Sequence, residues 1–146
     1  MGLARVEGMT EMSSDTDDSG LGSRRILLIE DNESNRQLLS DYLNYCGYNV
    51  MSLAEGAGFF SAIAQFQPHI VLLDLKLPDI DGYAILEELQ QRSEELQVPV
   101  IVVSAFAFQS DQRRALNLGA RRYLVKPVNL NQLKHAIREE LYPSAS

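Results

Sequence analysis

Five short apolar runs, each followed by a segment of helical period, constrain the fold of this chain more than any other feature. The runs lie at residues 26–29, 48–53, 70–73, 100–103 and 123–125. Four of the five are rich in Ile, Val or Leu and are bounded by turn residues, which is typical of buried parallel strands. The sequence therefore predicts an alternation of strand and helix along the whole chain.

The segments after these runs repeat apolar residues at every third or fourth position, as amphipathic helices do. They cover residues 35–46, 55–66, 83–95, 109–118 and 130–141. Gly47 and Gly119 are good stops for the first and fourth of these helices. Gly56 and Gly58 weaken the start of the second, because glycine is a poor helix former.

The predicted fold class is α/β, a doubly wound (βα)5, flavodoxin-like, three-layer sandwich. Alternating units give a parallel sheet that is covered by helices on both faces and joined by right-handed crossovers. Five units of this size suit the strand order 2-1-3-4-5. In such a sheet, ligands bind at the carboxyl ends of the strands, at the switch between strands 1 and 3.

Three regions divide the 146 residues of the chain. Residues 1–23 are polar and hold five acidic residues against one basic residue, which predicts a disordered acidic N-terminal tail. Residues 24–142 are predicted to form one folded domain, and residues 143–146 a short C-terminal tail. A chain of this length is long enough to bury a real core.

Charge and composition argue against several classes of protein. A net charge of −7 without a sizeable basic patch argues against nucleic-acid binding. No apolar run approaches the roughly 18 to 20 residues of a membrane span, and the N-terminus lacks the apolar stretch of a signal peptide. Cys46 is the single cysteine, which excludes an internal disulfide and a cysteine-based zinc site. These features predict a cytoplasmic protein.

Polar residues gather directly after four of the five predicted strands. Strand 1 ends in Glu30 and Asp31, strand 3 in Asp74, strand 4 in Ser104 and strand 5 in Lys126. In the order 2-1-3-4-5 these four strands are contiguous. Three carboxylates, a hydroxyl and an ammonium are therefore expected to converge on one edge of the sheet.

Three carboxylates packed together repel one another, and a hard divalent cation relieves the repulsion. Oxygen ligands completed by water suit Mg²⁺ or Mn²⁺. The expected direct ligands are Asp31, Asp74 and the main-chain carbonyl of Lys76, while Glu30, with its longer side chain, is expected to act through water.

A carboxylate beside Mg²⁺ in a partly dry site is a plausible nucleophile toward phosphorus. In this interpretation Asp74 accepts a phosphoryl group and becomes an acyl phosphate. Lys126 neutralises the phosphoryl oxygens, and the Ser104 hydroxyl donates a hydrogen bond to one of them. Such a site stabilises a loose, charge-spread transition state mainly by position and electrostatics.

Four stretches carry a resemblance to a known family. They are ILLIEDN (26–32), LLDLKLPDIDG (72–82), VVSA (102–105) and GARRYLVKPV (119–128). Together, in this order and at these strand ends, they resemble the receiver domain of response regulators in two-component signalling. The resemblance covers about 80% of the chain, residues 24–141. It includes single-domain, chemotaxis-type regulators and, through EDNESNR, the receivers of hybrid histidine kinases.

The resemblance implies a phosphorelay role that is not that of a conventional enzyme. Asp74 would take the phosphoryl group from a histidine kinase or a histidine phosphotransfer protein and lose it slowly by autodephosphorylation. Tyr123 would change rotamer together with Ser104, and the bond before Pro127 would be cis. Lys76 and Phe106 occupy the positions that tune phosphoryl lifetime in the family, which predicts a long-lived phosphoryl group.

The expected output is a change of surface. Phosphorylation is expected to draw the Ser104 loop inward and remodel the face made by the fourth helix, fifth strand and fifth helix. That face would meet a kinase, an effector protein or a second copy of the chain. Because no segment long enough for an output domain follows Leu141, the sequence predicts a stand-alone regulator.

Three other functions compete with this one. A pseudo-receiver would keep the fold without the chemistry, but the complete set of acids, hydroxyl and lysine argues against it. A phosphatase with an aspartate nucleophile needs an Asp-x-Asp pair, and its second position here is Lys76. A flavin-binding protein of the same strand order would need a phosphate-binding loop rich in Ser, Thr or Gly after strand 1. This chain has acidic residues there, which would repel a phosphate group.

Several other polar residues are assigned structural roles. Asp79 and Asp81 are expected to be loop and capping residues, and Asn32 is expected to cap the helix that follows it. His69 and His135 are isolated from the acids in the sequence. Neither is expected to carry a phosphoryl group.

Overall fold

The computed structural model of the protein describes residues 23–143. The predicted N-terminal tail, apart from Ser23, lies outside the described residues, as do residues 144–146 of the predicted C-terminal tail. The domain boundaries at 24 and 142 therefore stay predictions.

Five strands alternate with five helices along the described chain. The strands are β1 (Arg25–Ile29), β2 (Asn49–Leu53), β3 (Ile70–Leu73), β4 (Val100–Ser104) and β5 (Arg122–Val125). The helices are α1 (Glu33–Tyr45), α2 (Phe59–Phe66), α3 (Gly82–Gln91), α4 (Gln109–Asn117) and α5 (Leu130–Leu141).

The strands form one parallel sheet in the order β2-β1-β3-β4-β5, which confirms the predicted order 2-1-3-4-5. The sheet is buried on both faces, which gives the three layers. One apolar cluster packs α2, α3 and α4 on one face, and a second packs α1 and α5 on the other. All four residues of β3 are fully buried, as its unbroken apolar run predicted.

Most element bounds fall within a few residues of the prediction, and α2 differs for a physical reason. It begins at Phe59 rather than near residue 55. Gly58, its N-cap, has φ +85°, in the left-handed region that residues with a Cβ rarely adopt, so the helix starts only after it. α1 begins directly after Asn32, whose side chain accepts from the Asn35 N–H, which confirms the predicted cap.

Within residues 23–143, none of the helices combines the length and the apolar character needed to cross a membrane.

Candidate functional site

The acids of β1 and β3 are brought together by the strand register. Ile29 pairs with Leu73, and the Asp74 N–H donates to the Ile29 carbonyl at 3.0 Å. Glu30 and Asp74 therefore follow neighbouring strand ends. Their side chains are buried, whereas Asp31, the next residue, is exposed. This edge is the switch point predicted for the sheet.

Lys126 joins the two buried acids. Its Nζ lies 2.8 Å from Glu30 Oε1 and 2.9 Å from Asp74 Oδ2. The residue is placed by the end of β5, where its N–H donates to the Ser104 carbonyl at 2.8 Å. The following Lys126–Pro127 peptide bond is cis. The ammonium therefore reaches past the end of β4 to the acids that follow β1 and β3.

Burial and ion pairing shift the pKa values of this cluster in opposite directions. Burial raises the pKa of Glu30, and the hydrogen bonds from Lys126 and the Asn32 N–H only partly offset it. Burial also tends to lower the pKa of Lys126, but its bonds to Glu30 and Asp74 prevail and raise it. The ammonium form of Lys126 is therefore held in place by the acids.

The donor set fits a hard divalent cation. Carboxylate oxygens of Glu30, Asp31 and Asp74 all lie within 4.8 Å of one another. With the ammonium of Lys126 among them, they leave two formal negative charges, which a divalent ion would balance. Both oxygens of Glu30 are already engaged, by Lys126 and by the Asn32 N–H, which suits a role through water better than direct ligation.

A tight hairpin loop follows β3. The Gly82 N–H donates to the Leu75 carbonyl at 2.9 Å, and Lys76 bridges Asp81 across the loop. Gly82 is required here, because a Cβ would lie 2.5 Å from the Leu75 Cα. Asp81 caps α3 by accepting from the Tyr83 N–H at 2.9 Å, as predicted. The loop thus carries Lys76 beside Asp74.

Ser104 and Tyr123 both hydrogen-bond the main chain of Phe106. The Ser104 Oγ accepts from the Phe106 N–H at 3.0 Å, and the Tyr123 hydroxyl donates to the Phe106 carbonyl at 2.7 Å. Burial of Tyr123 raises its pKa, so the hydroxyl stays protonated as a donor. The sequence identified both side chains but not Phe106 as the residue that connects them.

Sequence reasoning also missed Arg36. Its Nη1 donates to the Glu30 carbonyl at 2.9 Å from the first turns of α1. The only available signal was its place early in the helix after the acids, which is shared by many surface arginines. The two histidines lie where the sequence placed them, away from the acids: His69 bonds Arg25 at the opposite edge of the sheet, and His135 pairs with Glu139 on α5.

Comparison with known proteins identifies the family. Residues 26–138 match the model of the response regulator receiver domain. This chain belongs to the response regulator receiver family. Receiver domains act in two-component signalling, in which a histidine kinase or phosphotransfer protein is the partner on the input side.

Relatives of the receiver domain occur alone and within longer proteins. A probable transcriptional regulator, ycf27, from Porphyridium aerugineum is 38% identical over 117 residues, which are 80% of this chain and 48% of that protein. The polar-differentiation response regulator DivK from Brucella ovis is 28% identical over 119 residues, 82% of this chain and 97% of DivK. The chain spans about half the length of the first curated relatives it matches.

Solved structures agree with the fold. The receiver domain of a sensor histidine kinase from Pseudomonas aeruginosa PAO1 has a TM-score of 0.74 and 29% identity, covering 82% of this chain and 98% of that one. That structure has a magnesium ion coordinated in its active-site cleft. The signal receiver domain of a Luxo repressor protein from Vibrio parahaemolyticus has a TM-score of 0.75 and 28% identity, covering 82% and 90%.

Proposed function

We propose that this receiver domain accepts a phosphoryl group on Asp74 from the phosphohistidine of a histidine kinase or histidine phosphotransfer protein. The observation that carries the proposal is the geometry around Asp74: a buried carboxylate at a strand end, bonded to Lys126 and within reach of two further acids. Mg²⁺ is the proposed cofactor, and Mn²⁺ could replace it. When bound, the ion supplies positive charge beside the phosphoryl oxygens and relieves repulsion among the acids.

The transfer exchanges one bond for another. An Asp74 carboxylate oxygen forms a bond to phosphorus while the phosphorus–nitrogen bond of the donor breaks. The electron pair of that bond stays on the imidazole nitrogen, which takes up a proton. Asp31, Asp74 and the Lys76 carbonyl are the proposed metal ligands. Lys126, already aimed at Asp74 Oδ2, would turn its positive charge to the incoming phosphoryl oxygens.

The same event would pull on the loop after β4. The Ser104 hydroxyl would donate to a phosphoryl oxygen, and its hold on the Phe106 N–H would change. Because the Tyr123 hydroxyl donates to the carbonyl of the same residue, the proposed Tyr123 switch is coupled to Ser104 through the main chain of Phe106. The two states of this loop are the bistable element that phosphorylation would bias.

The proposed output surface is the face made by α4, β5 and α5. It carries exposed apolar side chains at Phe108 (79%), Leu116 (46%) and Val125 (36%), which suits contact with another protein. We propose that it contacts an effector or a second copy of the chain, and that the protein works in the cytoplasm.

A long phosphoryl lifetime is part of the proposal. Lys76 and Phe106 are both exposed at the site, where a long cation and a ring would obstruct an attacking water. The chain is therefore a phospho-acceptor that returns slowly to its resting state. A dephosphorylation half-life of seconds would contradict this part of the proposal.

Incubation with acetyl phosphate and Mg²⁺, followed by intact mass measurement, tests the proposal. We expect the mass of one phosphoryl group to be added, and we expect no addition without Mg²⁺ or in Asp74→Ala. Asp41→Ala serves as a control that removes an equal side chain from the exposed side of α1, outside the acid cluster, and it should still be phosphorylated. Addition that persists in Asp74→Ala would overturn the assignment of the acceptor.

A further inference from the structure

A second carboxylate in the loop after β3 makes a contact that no catalytic role explains. Asp79 Oδ1 accepts from the Gly56 N–H, and Oδ2 from the Ala57 N–H, both at 2.8 Å. These bonds join the tip of the β3–α3 loop to the β2–α2 loop, 22 and 23 residues earlier in the chain. The paired bonds lower the pKa of Asp79, so it is ionised at neutral pH.

Packing reinforces the same contact. A Cβ placed on Gly56 would lie 3.1 Å from Ile80 Cβ and 3.2 Å from Ile80 Cδ1. Gly56 is buried, so the two loops meet closely only because this residue has no side chain. We call the contact of Asp79 and Ile80 with Gly56 and Ala57 the loop clasp.

The clasp lies at the far end of the hairpin that carries Lys76. At the near end the hairpin is fixed by the Gly82–Leu75 bond and by the bridge between Lys76 and Asp81. A short hairpin held only at its base can tilt as a unit. A second attachment at its tip sets that tilt, and with it the position of the Lys76 carbonyl relative to the Asp74 carboxylate.

We propose that Asp79 is a positioning residue for the cation site, acting through the loop clasp on the Lys76 carbonyl. The inference rests on the proposed function, because it takes that carbonyl as a metal ligand. Asp79 itself does not contact the ion. The clasp reduces the reorganisation that binding would otherwise require, which is how a supporting contact raises affinity.

Linkage gives the inference a reciprocal consequence. If the clasp favours cation binding, then cation binding favours the closed clasp by the same free energy. Mg²⁺ should therefore slow hydrogen exchange at the Gly56 and Ala57 amides, although neither residue is a proposed ligand. Amide exchange reports on the clasp without any phosphoryl transfer.

The test is a Mg²⁺ titration followed by ¹H–¹⁵N NMR on the full chain and its variants. Asp79→Ala removes the bonds together with a charge, and Asp79→Asn keeps one acceptor oxygen. Gly56→Ala crowds the clasp with no change of charge, because its methyl group would lie 3.1 Å from Ile80 Cβ. Asp41→Ala is the matched control: it removes an exposed carboxylate of α1 that accepts a hydrogen bond from Gln37 on the same helix.

We expect the Kd for Mg²⁺ to rise about threefold to tenfold in Asp79→Ala and Gly56→Ala, less in Asp79→Asn, and less than about twofold in Asp41→Ala. The difference should survive about 0.5 M KCl, which screens simple charge effects. The spectra themselves show whether each variant is folded. The variants should change the phosphorylation rate at saturating Mg²⁺ by a smaller factor than they change the Mg²⁺ concentration that gives half of the maximal rate.

Two results would overturn the inference. An unchanged Kd in folded Asp79→Ala, or a rise of its Kd that salt abolishes, would leave Asp79 with no positioning role. If the wild-type protein binds Mg²⁺ and is phosphorylated while the variants match it, only this inference fails. If the wild-type protein binds no Mg²⁺, the proposed function fails and takes this inference with it.

Discussion

At the scale of single residues, the main feature of the site is that two buried carboxylates share one ammonium group. Glu30 and Asp74 are 1% and 4% exposed, and one ammonium, that of Lys126, bonds both. A buried carboxylate without a partner is costly, so each acid depends on the same lysine. The third acid, Asp31, is exposed and can be changed with little effect on folding.

Lys126→Ala should lower the free energy of unfolding by about 1–3 kcal/mol, because it leaves two buried carboxylates without their ammonium. The raised pKa of Lys126 fixes the sign: its stabilisation is fully present below the ordinary lysine range and is lost as pH rises above it. Urea unfolding at neutral pH measures the loss.

The matched control for this prediction is Lys134→Ala, which removes an exposed lysine of α5 and should change stability little. Adding Asp74→Ala to Lys126→Ala should recover part of the loss, because one of the two unpaired acids is then gone. Equal stability of Lys126→Ala and the wild-type protein would show that the acids do not depend on this lysine.

Gly82→Ala should lower the free energy of unfolding by about 2–3 kcal/mol, because a methyl group would meet the Leu75 backbone and push the loop away from β3. Urea unfolding measures the effect, with Ser61→Ala on the exposed side of α2 as a control. Wild-type stability in Gly82→Ala would mean that the loop can move away from Leu75 without cost and that the close contact at its base is not required.

At the scale of elements, most of the fold and part of the site follow from local sequence patterns. Strand β3 was predictable because four consecutive apolar residues before an acid fit a buried parallel strand. The order of the strands then brought Glu30, Asp74 and Lys126 together. Both predictions rest on the spacing of apolar runs and polar residues along the chain, which the sequence shows directly.

Contacts between loops were not predictable in the same way. The Asp79 contacts with Gly56 and Ala57, and the meeting of Tyr123 with the Phe106 carbonyl, join positions far apart in the chain. They depend on rotamers and on the approach of two loops, which no periodicity encodes. Asp79 was expected to be a loop residue, which is correct but omits what it binds.

Tyr83 connects α3 to α4. Its hydroxyl donates to the Asp111 carbonyl at 3.2 Å, and the Arg114 guanidinium lies 3.9 Å from the ring centroid. Burial, with the nearby Asp111 carboxylate, raises the pKa of Tyr83 to about 12. The neutral phenol is the form that the folded protein prefers.

Stability should therefore fall as pH rises from about 10, the ordinary tyrosine pKa, to about 12, because the folded state keeps a proton that the unfolded state loses. Tyrosinate absorbance should include a component near 12 that Tyr83→Phe removes and Tyr45→Phe, at an exposed position, retains. At neutral pH, Tyr83→Phe should cost about 1 kcal/mol. A wild-type titration without that step would contradict the burial of this phenol.

At the scale of the whole molecule, one sheet separates two apolar clusters and presents the site at its carboxyl edge. The acids end β1 and β3, while the hydroxyl and lysine end β4 and β5. A ligand bound at this edge touches elements packed into both clusters. Its binding free energy therefore stabilises the entire domain and not one loop alone.

Mg²⁺ at about ten times its Kd should raise the free energy of unfolding of the wild-type protein by about 1.4 kcal/mol through mass action. Asp31→Asn should lose most of this increment while keeping its stability without Mg²⁺, since Asp31 is exposed. Urea unfolding at constant ionic strength separates the specific effect from screening. An equal increment in Asp31→Asn would contradict the proposed ligand set.

The proposed function depends most on one bond, the acyl phosphate on Asp74, and reduction with borodeuteride after phosphorylation tests for that bond directly. Reduction converts a phosphorylated aspartate into deuterated homoserine, which peptide mass spectrometry locates in the chain. The prediction is a single labelled residue at position 74, present only when the phosphodonor and Mg²⁺ were both supplied. Label at Asp31 or Glu30, or a phosphoryl group that resists reduction because it lies on a histidine, would contradict the account.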